Sequence, residues 1–97
     1  MNDHIKAVRA FVRSRGTYSS SVWRWVTRDK NGHIDAFKRQ PHIPDFKDGT
    51  WRCYSDRGTT ERLTLRFADE VAQFPSPLDD IPWDLSLTYI GDEFDGV

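Results

Sequence analysis

Cysteine is almost absent. Cys53 is the single cysteine in 97 residues, which excludes an internal disulfide and fits a reducing compartment. Long apolar runs are absent too. Nothing approaches the roughly 20 apolar residues that span a bilayer. The opening Met-Asn-Asp-His-Ile-Lys has no apolar segment of the signal-peptide kind. The expectation is an intracellular protein with no membrane partner. The six glycines are dispersed, so no glycine-rich loop is present to cradle a phosphate. His4, His33 and His42 share no metal-ligand spacing with Cys53, and neither a metal nor a cofactor is expected. Asp79 and Asp80 are adjacent, whereas hydrolytic carboxylate pairs converge from separate elements in a pocket. With no catalytic motif, neither an enzyme nor a small-molecule substrate is expected.

The most informative absence is of positive charge. After Arg66 there is no Lys or Arg, while eight carboxylates follow: Asp69, Glu70, Asp79, Asp80, Asp84, Asp92, Glu93 and Asp95. Residues 1–66 hold all 14 basic residues against 7 acids, so a +7 segment precedes a −8 segment and the chain sums to −1. Such asymmetry bears on partners rather than on fold.

The chain reads as a single domain spanning residues 1–97, basic over residues 1–66 and acidic over residues 67–97. Hydrophobic content is 37%, but 13% of residues are aromatic, and a few large rings can build a small core. Residues 2–15 predict an amphipathic helix, with Ile5, Val8, Phe11 and Val12 on one face. Residues 21–39 predict a β-hairpin around Asp29-Lys30-Asn31-Gly32. Two registers remain open. A two-residue loop pairs Arg28 with Asp35 and Val26 with Phe37; a type I turn with a bulge at Gly32 pairs Trp25 with Phe37. Residues 40–50 read as a loop broken by Pro41 and Pro44.

A second hairpin is expected between the Trp51–Ser55 region, with Cys53 as a buried filler, and Glu61–Phe67. Leu63, Leu65 and Phe67 alternate there with Arg62, Thr64 and Arg66. Ala68–Phe74 predicts a short helix ended by Pro75. Ser76-Pro77-Leu78-Asp79 carries the signature of a capped helical start. Residues 83–90 alternate as an edge strand. The expected fold is α+β: a four- to five-stranded antiparallel sheet, the N-terminal helix packed on one face in two layers, and one or two short C-terminal helices.

Two uses of the charge compete. Arg24, Arg28, Arg39, Arg52, Arg62 and Arg66, interleaved with Trp23, Trp25 and Tyr54, resemble a sheet that grips a backbone and stacks bases, as in a small nucleic-acid-binding regulator of a mobile element. The acidic third points elsewhere. Its acids alternate with Phe74, Leu78, Ile81, Trp83, Leu85, Leu87, Tyr89 and Phe94, a composition that anchors a segment rather than leaving it as a solvated tail. Alternate residues on an extended strand, such as Glu93 and Asp95, stand roughly 6.6 Å apart, close to the spacing of nucleic-acid phosphates. Carboxylates so held can occupy a groove built for DNA.

The small, cysteine-poor, aromatic-rich chain, with Asp-Leu-Ser-Leu-Thr-Tyr-Ile-Gly-Asp-Glu-Phe-Asp over residues 84–95, resembles the phage-encoded anti-CRISPR proteins of the type I-F, DNA-mimicking kind. The resemblance implies an inhibitor without enzyme activity, acting in the bacterial host cytoplasm. Its implied partner is the type I-F CRISPR surveillance complex, at the large subunit that reads the PAM and grips DNA. No direct contact with nucleic acid is implied. The partner-binding residues expected are Asp69, Glu70, Asp79, Asp80, Asp84, Asp92, Glu93 and Asp95.

Overall fold

The computed structural model describes residues 3–15, 23–55, 58–59 and 62–91. Helix α1 spans Asp3–Arg15 and buries Val8, Phe11 and Val12, with Ile5 packed beside them. Asp3 lies in its first turn and Arg13 and Arg15 in its last, the arrangement the helix dipole favours.

Strands β1 (Trp25–Arg28) and β2 (Ile34–Phe37) form the expected hairpin. Its register is the bulged one, with Trp25 opposite Phe37 and Arg28 opposite Ile34. The turn closes through Gly32 N–H to the Asp29 carbonyl at 2.9 Å and Asp29 N–H to the His33 carbonyl at 2.8 Å. Only Gly32, at φ 96°, takes positive φ in this turn, whereas a two-residue type I′ loop would require it of Asn31 as well. The Asn31 side chain instead accepts the His33 N–H at 3.0 Å.

The α+β class and the antiparallel sheet, with an edge strand near the C-terminal end of the described residues, are as expected, but the pairing and lengths of the remaining strands differ. Strands β3 (Tyr54–Ser55) and β4 (Gly58–Thr59) pair with each other in a separate two-stranded ladder. Strand β5 (Arg62–Arg66) pairs antiparallel with β2, not with the segment at 51–55. Strand β6 is only Thr88–Tyr89, on the outer side of β1, which gives a four-stranded sheet of order β5-β2-β1-β6. The alternation at 51–53 reflects burial, since Trp51 and Cys53 are both buried. They achieve it by lying on the second face of the sheet, against Phe37, rather than by joining the sheet.

Both faces of the sheet are therefore covered, and the expected two layers become three. One core joins α1 to Val26, Ile34, Ala36, Leu65, Leu78 and Ile90. The other gathers Phe37, Trp51 and Cys53 with Trp25, Ile43, Trp83 and Leu87. This is why all four residues of β2 are buried.

The acidic third is built from tight 3₁₀ turns. Ala68–Glu70 forms one in place of the longer helix that the sequence predicts, and Trp83–Leu85 another in place of a strand. Pro77–Asp80 begins as the sequence predicts. Ser76 Oγ accepts the Leu78 N–H at 3.0 Å, and Asp79 Oδ2 accepts the Ser76 N–H at 2.9 Å. Among the described residues no helix is long and apolar enough to cross a membrane.

Candidate partner-binding face

Four arginines of the first two thirds are invested inside the molecule, whereas Lys6, Arg13, Lys30, Lys38, Arg39, Lys47 and Arg62 are exposed. Arg66 is fully buried; its Nη2 and Nε donate to the Gly32 carbonyl at 2.7 and 3.0 Å, and its Nη1 to the Phe74 carbonyl at 2.9 Å. Arg28 Nε donates to the Leu78 carbonyl at 2.9 Å, and its Nη2 donates to the Ile81 carbonyl. Arg15 Nε donates to the Leu65 carbonyl at 2.9 Å, and its guanidinium lies 3.6 Å from the centre of the Phe74 ring. Arg9, also buried, reaches the Ile90 carbonyl at 3.4 Å. A guanidinium offers five donors in a planar fork, which suits it to collecting carbonyls that irregular backbone leaves unpaired. These arginines pin the 3₁₀ turns of the acidic third onto the helix and sheet.

The eight predicted acids fall into three groups. Asp79 and Glu70 are turned inward. Arg66 donates to both Asp79 oxygens, at 2.7 and 3.0 Å. Burial alone would raise the Asp79 pKa, but the Arg66 and Ser76 hydrogen bonds and the nearby Arg66 and Arg28 charges outweigh it and hold the carboxyl below its ordinary value. Glu70 Oε1 accepts the Phe67 N–H at 2.9 Å, and Oε2 lies 3.5 Å from Arg15 Nη2. Asp69 and Asp80 are exposed and Asp84 is half-buried, and none of the three makes a hydrogen bond or ion pair among the described residues. Asp92, Glu93 and Asp95 lie outside the described residues.

Next to Asp80 and Asp84 in the chain runs a shallow groove of about 410 Å³ between the start of α1 and the edge strand β6. Ile5, Ile81, Leu85, Leu87 and Tyr89 line it, with His4, whose Nε2 lies 3.2 Å from Thr88 Oγ1. Leu85 is 69% exposed and Tyr89 38%. Asp80 directly precedes Ile81 and Asp84 directly precedes Leu85 in the chain, so acids border the apolar lining. An apolar centre with a charged rim is the anatomy of a protein-binding surface.

The competing use of the sheet keeps only part of its set at the surface, with Arg39 and Arg62 exposed and Arg24 and Arg52 half-buried. Trp23 is buried, Trp25 packs against Tyr89 with ring centres 4.7 Å apart, and Arg28 and Arg66 are committed inward. The side chain of Tyr54 lies outside the described residues.

One polar cluster has no counterpart among the sequence expectations. Ligand-type atoms of Asp29, His33 and Asp35 lie within 4.8 Å of one another. Asp35, 1% exposed, accepts from His33 Nε2 and from Thr64 Oγ1, each at 2.9 Å, and Arg62 Nη1 stands 3.7 Å from its other oxygen. Asp29 Oδ1 accepts the Trp51 N–H at 2.9 Å. Burial raises the Asp29 pKa, and the hydrogen bond to Asp35 raises that of His33. The signal is Asp-x₃-His-x-Asp around a glycine bulge. In the bulged register Thr27 faces Asp35, which places residues 29, 33 and 35 on one face of the sheet.

The chain matches no protein-family model, no curated protein and no solved structure.

Proposed function

We propose that this protein is a non-enzymatic, stoichiometric inhibitor that docks an acid-rimmed apolar groove onto a basic, DNA-gripping protein surface. The partner we infer is the type I-F CRISPR surveillance complex, in the bacterial host cytoplasm, with carboxylates standing in for phosphates at the large subunit that reads the PAM. The observation that carries this reading is an imbalance of use. Arg9, Arg15, Arg28 and Arg66 are spent on internal carbonyls, while Asp69, Asp80 and Asp84 stay unpaired among the described residues, with Asp80 and Asp84 next in sequence to the groove-lining Ile81 and Leu85. The groove thus carries an acidic rim on a chain whose net charge is only −1. Asp79 and Glu70 are paired with Arg66 and Arg15, and the contact acids proposed are Asp69, Asp80 and Asp84, joined by Asp92, Glu93 and Asp95.

Desolvated charge-assisted contacts contribute about 1.5–3 kcal/mol each, so a handful suffices for tight binding when an apolar anchor accompanies them. The groove also favours a protein partner over bare nucleic acid, because phosphate would be repelled by these acids while Leu85 found no apolar surface to cover it.

The test is target-DNA binding by the purified surveillance complex, measured by mobility shift with increasing inhibitor. The expected result is loss of DNA binding at one equivalent of inhibitor per complex. The triple substitution of Asp69, Asp80 and Asp84 to Asn should restore DNA binding, while the inhibitor alone should leave duplex DNA unshifted. Unimpaired target binding at excess inhibitor overturns the reading, as does a shift of bare duplex.

A further inference from the structure

The second face of the sheet holds two nearly buried carboxylates facing a histidine. Asp29 is 6% exposed and Asp35 1%. Among the described residues, the only Lys or Arg paired with either is Arg62, 46% exposed and 3.7 Å from Asp35. Two ionised carboxylates so close in a poorly hydrated site repel each other, and a half-exposed guanidinium at that distance compensates weakly. The Asp29 side chain receives one hydrogen bond among the described residues, from Trp51, although a carboxylate has roughly four acceptor positions. A further group points the same way. Thr27, 1% exposed, has no hydrogen-bond partner for its Oγ1 among the described residues. It stands opposite Asp35 in the ladder and two residues before Asp29, so its side chain emerges on the face that carries both carboxylates. Buried hydroxyls are nearly always satisfied, and one left unpaired beside two carboxylates asks for a ligand.

We propose that Asp29, His33 and Asp35, with the Thr27 hydroxyl beside them, bind one divalent first-row transition-metal ion. This inference is independent of the docking face described above. The donors are two carboxylate oxygens and an imidazole nitrogen, supplied by the two arms of a single hairpin and its turn. The imidazole selects zinc, cobalt or iron over magnesium and calcium, which prefer oxygen throughout. Ligands about 2.0–2.2 Å from an ion are separated from one another by about 3.0–3.4 Å. His33 Nε2 and Asp35 Oδ1 are already 2.9 Å apart, and the full set spans 4.8 Å, a gap that side-chain rotation closes. A dipositive ion neutralises both carboxylates with the imidazole uncharged, and Arg62 is then released from Asp35. Access is from the side of His33, whose side chain is 18% exposed and lies edge-on to exposed Phe67 with ring centres 5.6 Å apart.

The test is titration of the full chain at neutral pH with zinc, followed by calorimetry, and with cobalt(II), followed by its visible ligand-field bands. One equivalent should bind, and zinc should raise Tm. Asp29→Asn and His33→Gln both keep a hydrogen-bonding group in place, so the fold should survive, as near-UV circular dichroism would verify. Each should weaken binding at least tenfold. Arg62→Gln removes the competing cation and should tighten binding severalfold; a purely structural ion pair gives no such gain. His42→Gln should change nothing. No saturable binding below millimolar metal overturns the proposal. So does binding that survives both Asp29→Asn and His33→Gln, or that is lost with His42→Gln.

Discussion

Arg66 and Asp79 meet in a two-point ion pair, Nη2 to Oδ1 at 2.7 Å and Nη1 to Oδ2 at 3.0 Å, with the arginine fully buried and the aspartate side chain 29% exposed. The arginine belongs to β5 and the aspartate to the Pro77–Asp80 turn, so the pair fastens the acidic third to the sheet. The same guanidinium holds the Gly32 and Phe74 carbonyls.

Replacing Arg66 with Met should therefore be among the most damaging single changes in the protein. It leaves a carboxylate and two carbonyls without their donor, and breaking such a buried network costs about 3–5 kcal/mol. Asp80→Asn, one residue from Asp79 but unpaired among the described residues, should stay within about 0.5 kcal/mol of the parent. Urea unfolding of the two variants measures both, and equal effects would remove Arg66 from its role as a staple.

The ion pair also sets an acid limit. Asp79 titrates below its ordinary value of 3.8 in the folded chain, so the folded state binds its proton more weakly than the unfolded state does. Its contribution to stability is present in full above the unfolded pKa and is lost as pH falls through the lower, folded one. Thermal unfolding followed from pH 5 downward should show a fall in Tm that is shallower in Asp79→Asn. Parallel curves for parent and variant would assign the acid limit to other carboxylates.

Much of this fold is legible in local chemistry. The α1 stripe of Val8, Phe11 and Val12, the hairpin around Gly32 and the Ser76-Pro77-Leu78-Asp79 cap are each specified by residues within a few positions of one another. The misreadings are non-local. Nothing near Trp51 states that it will pack on Phe37 instead of pairing with β5, because that choice depends on which face of a sheet formed earlier in the chain is still uncovered. The site follows the same division. That the acids of residues 69–84 are anchored follows from the apolar residues between them. That Asp79 and Glu70 are consumed by Arg66 and Arg15 depends on partners 13 and 55 positions away. The Asp29, His33 and Asp35 cluster depends on one register that the sequence leaves open, since a slip of one residue sends Asp35 to the other face.

Gly32 links turn geometry to that same staple. Its φ of 96° is strained for any residue with a Cβ, and a Cβ placed there would stand 2.5 Å from Val71 Cγ2. Its carbonyl is the acceptor shared by Arg66 Nε and Nη2. Gly32→Ala should destabilise by about 1–3 kcal/mol, through backbone strain and displacement of the Arg66 fork. Combined with Arg66→Met it should cost less than the sum of the two, because both changes disrupt one contact. A double-mutant cycle by chemical denaturation checks this, and strict additivity would uncouple the turn from the staple.

Leu85 separates binding from folding. At 69% exposure it adds little to the core, so Leu85→Ala should leave stability within about 0.5 kcal/mol of the parent. As the apolar anchor of the proposed docking face it should matter far more in a complex, where truncating a central apolar contact costs more than about 1 kcal/mol, a loss of roughly fivefold or greater in affinity. Salt gives an independent signature. In the proposed complex the contact acids would bind through screened charge and Leu85 would not, so raising ionic strength should weaken the parent and Leu85→Ala by the same factor, while the triple Asn variant of Asp69, Asp80 and Asp84 should respond much less. Affinity measured by surface plasmon resonance across a salt series resolves the two contributions. Retention of full affinity by Leu85→Ala would move the interface away from the groove.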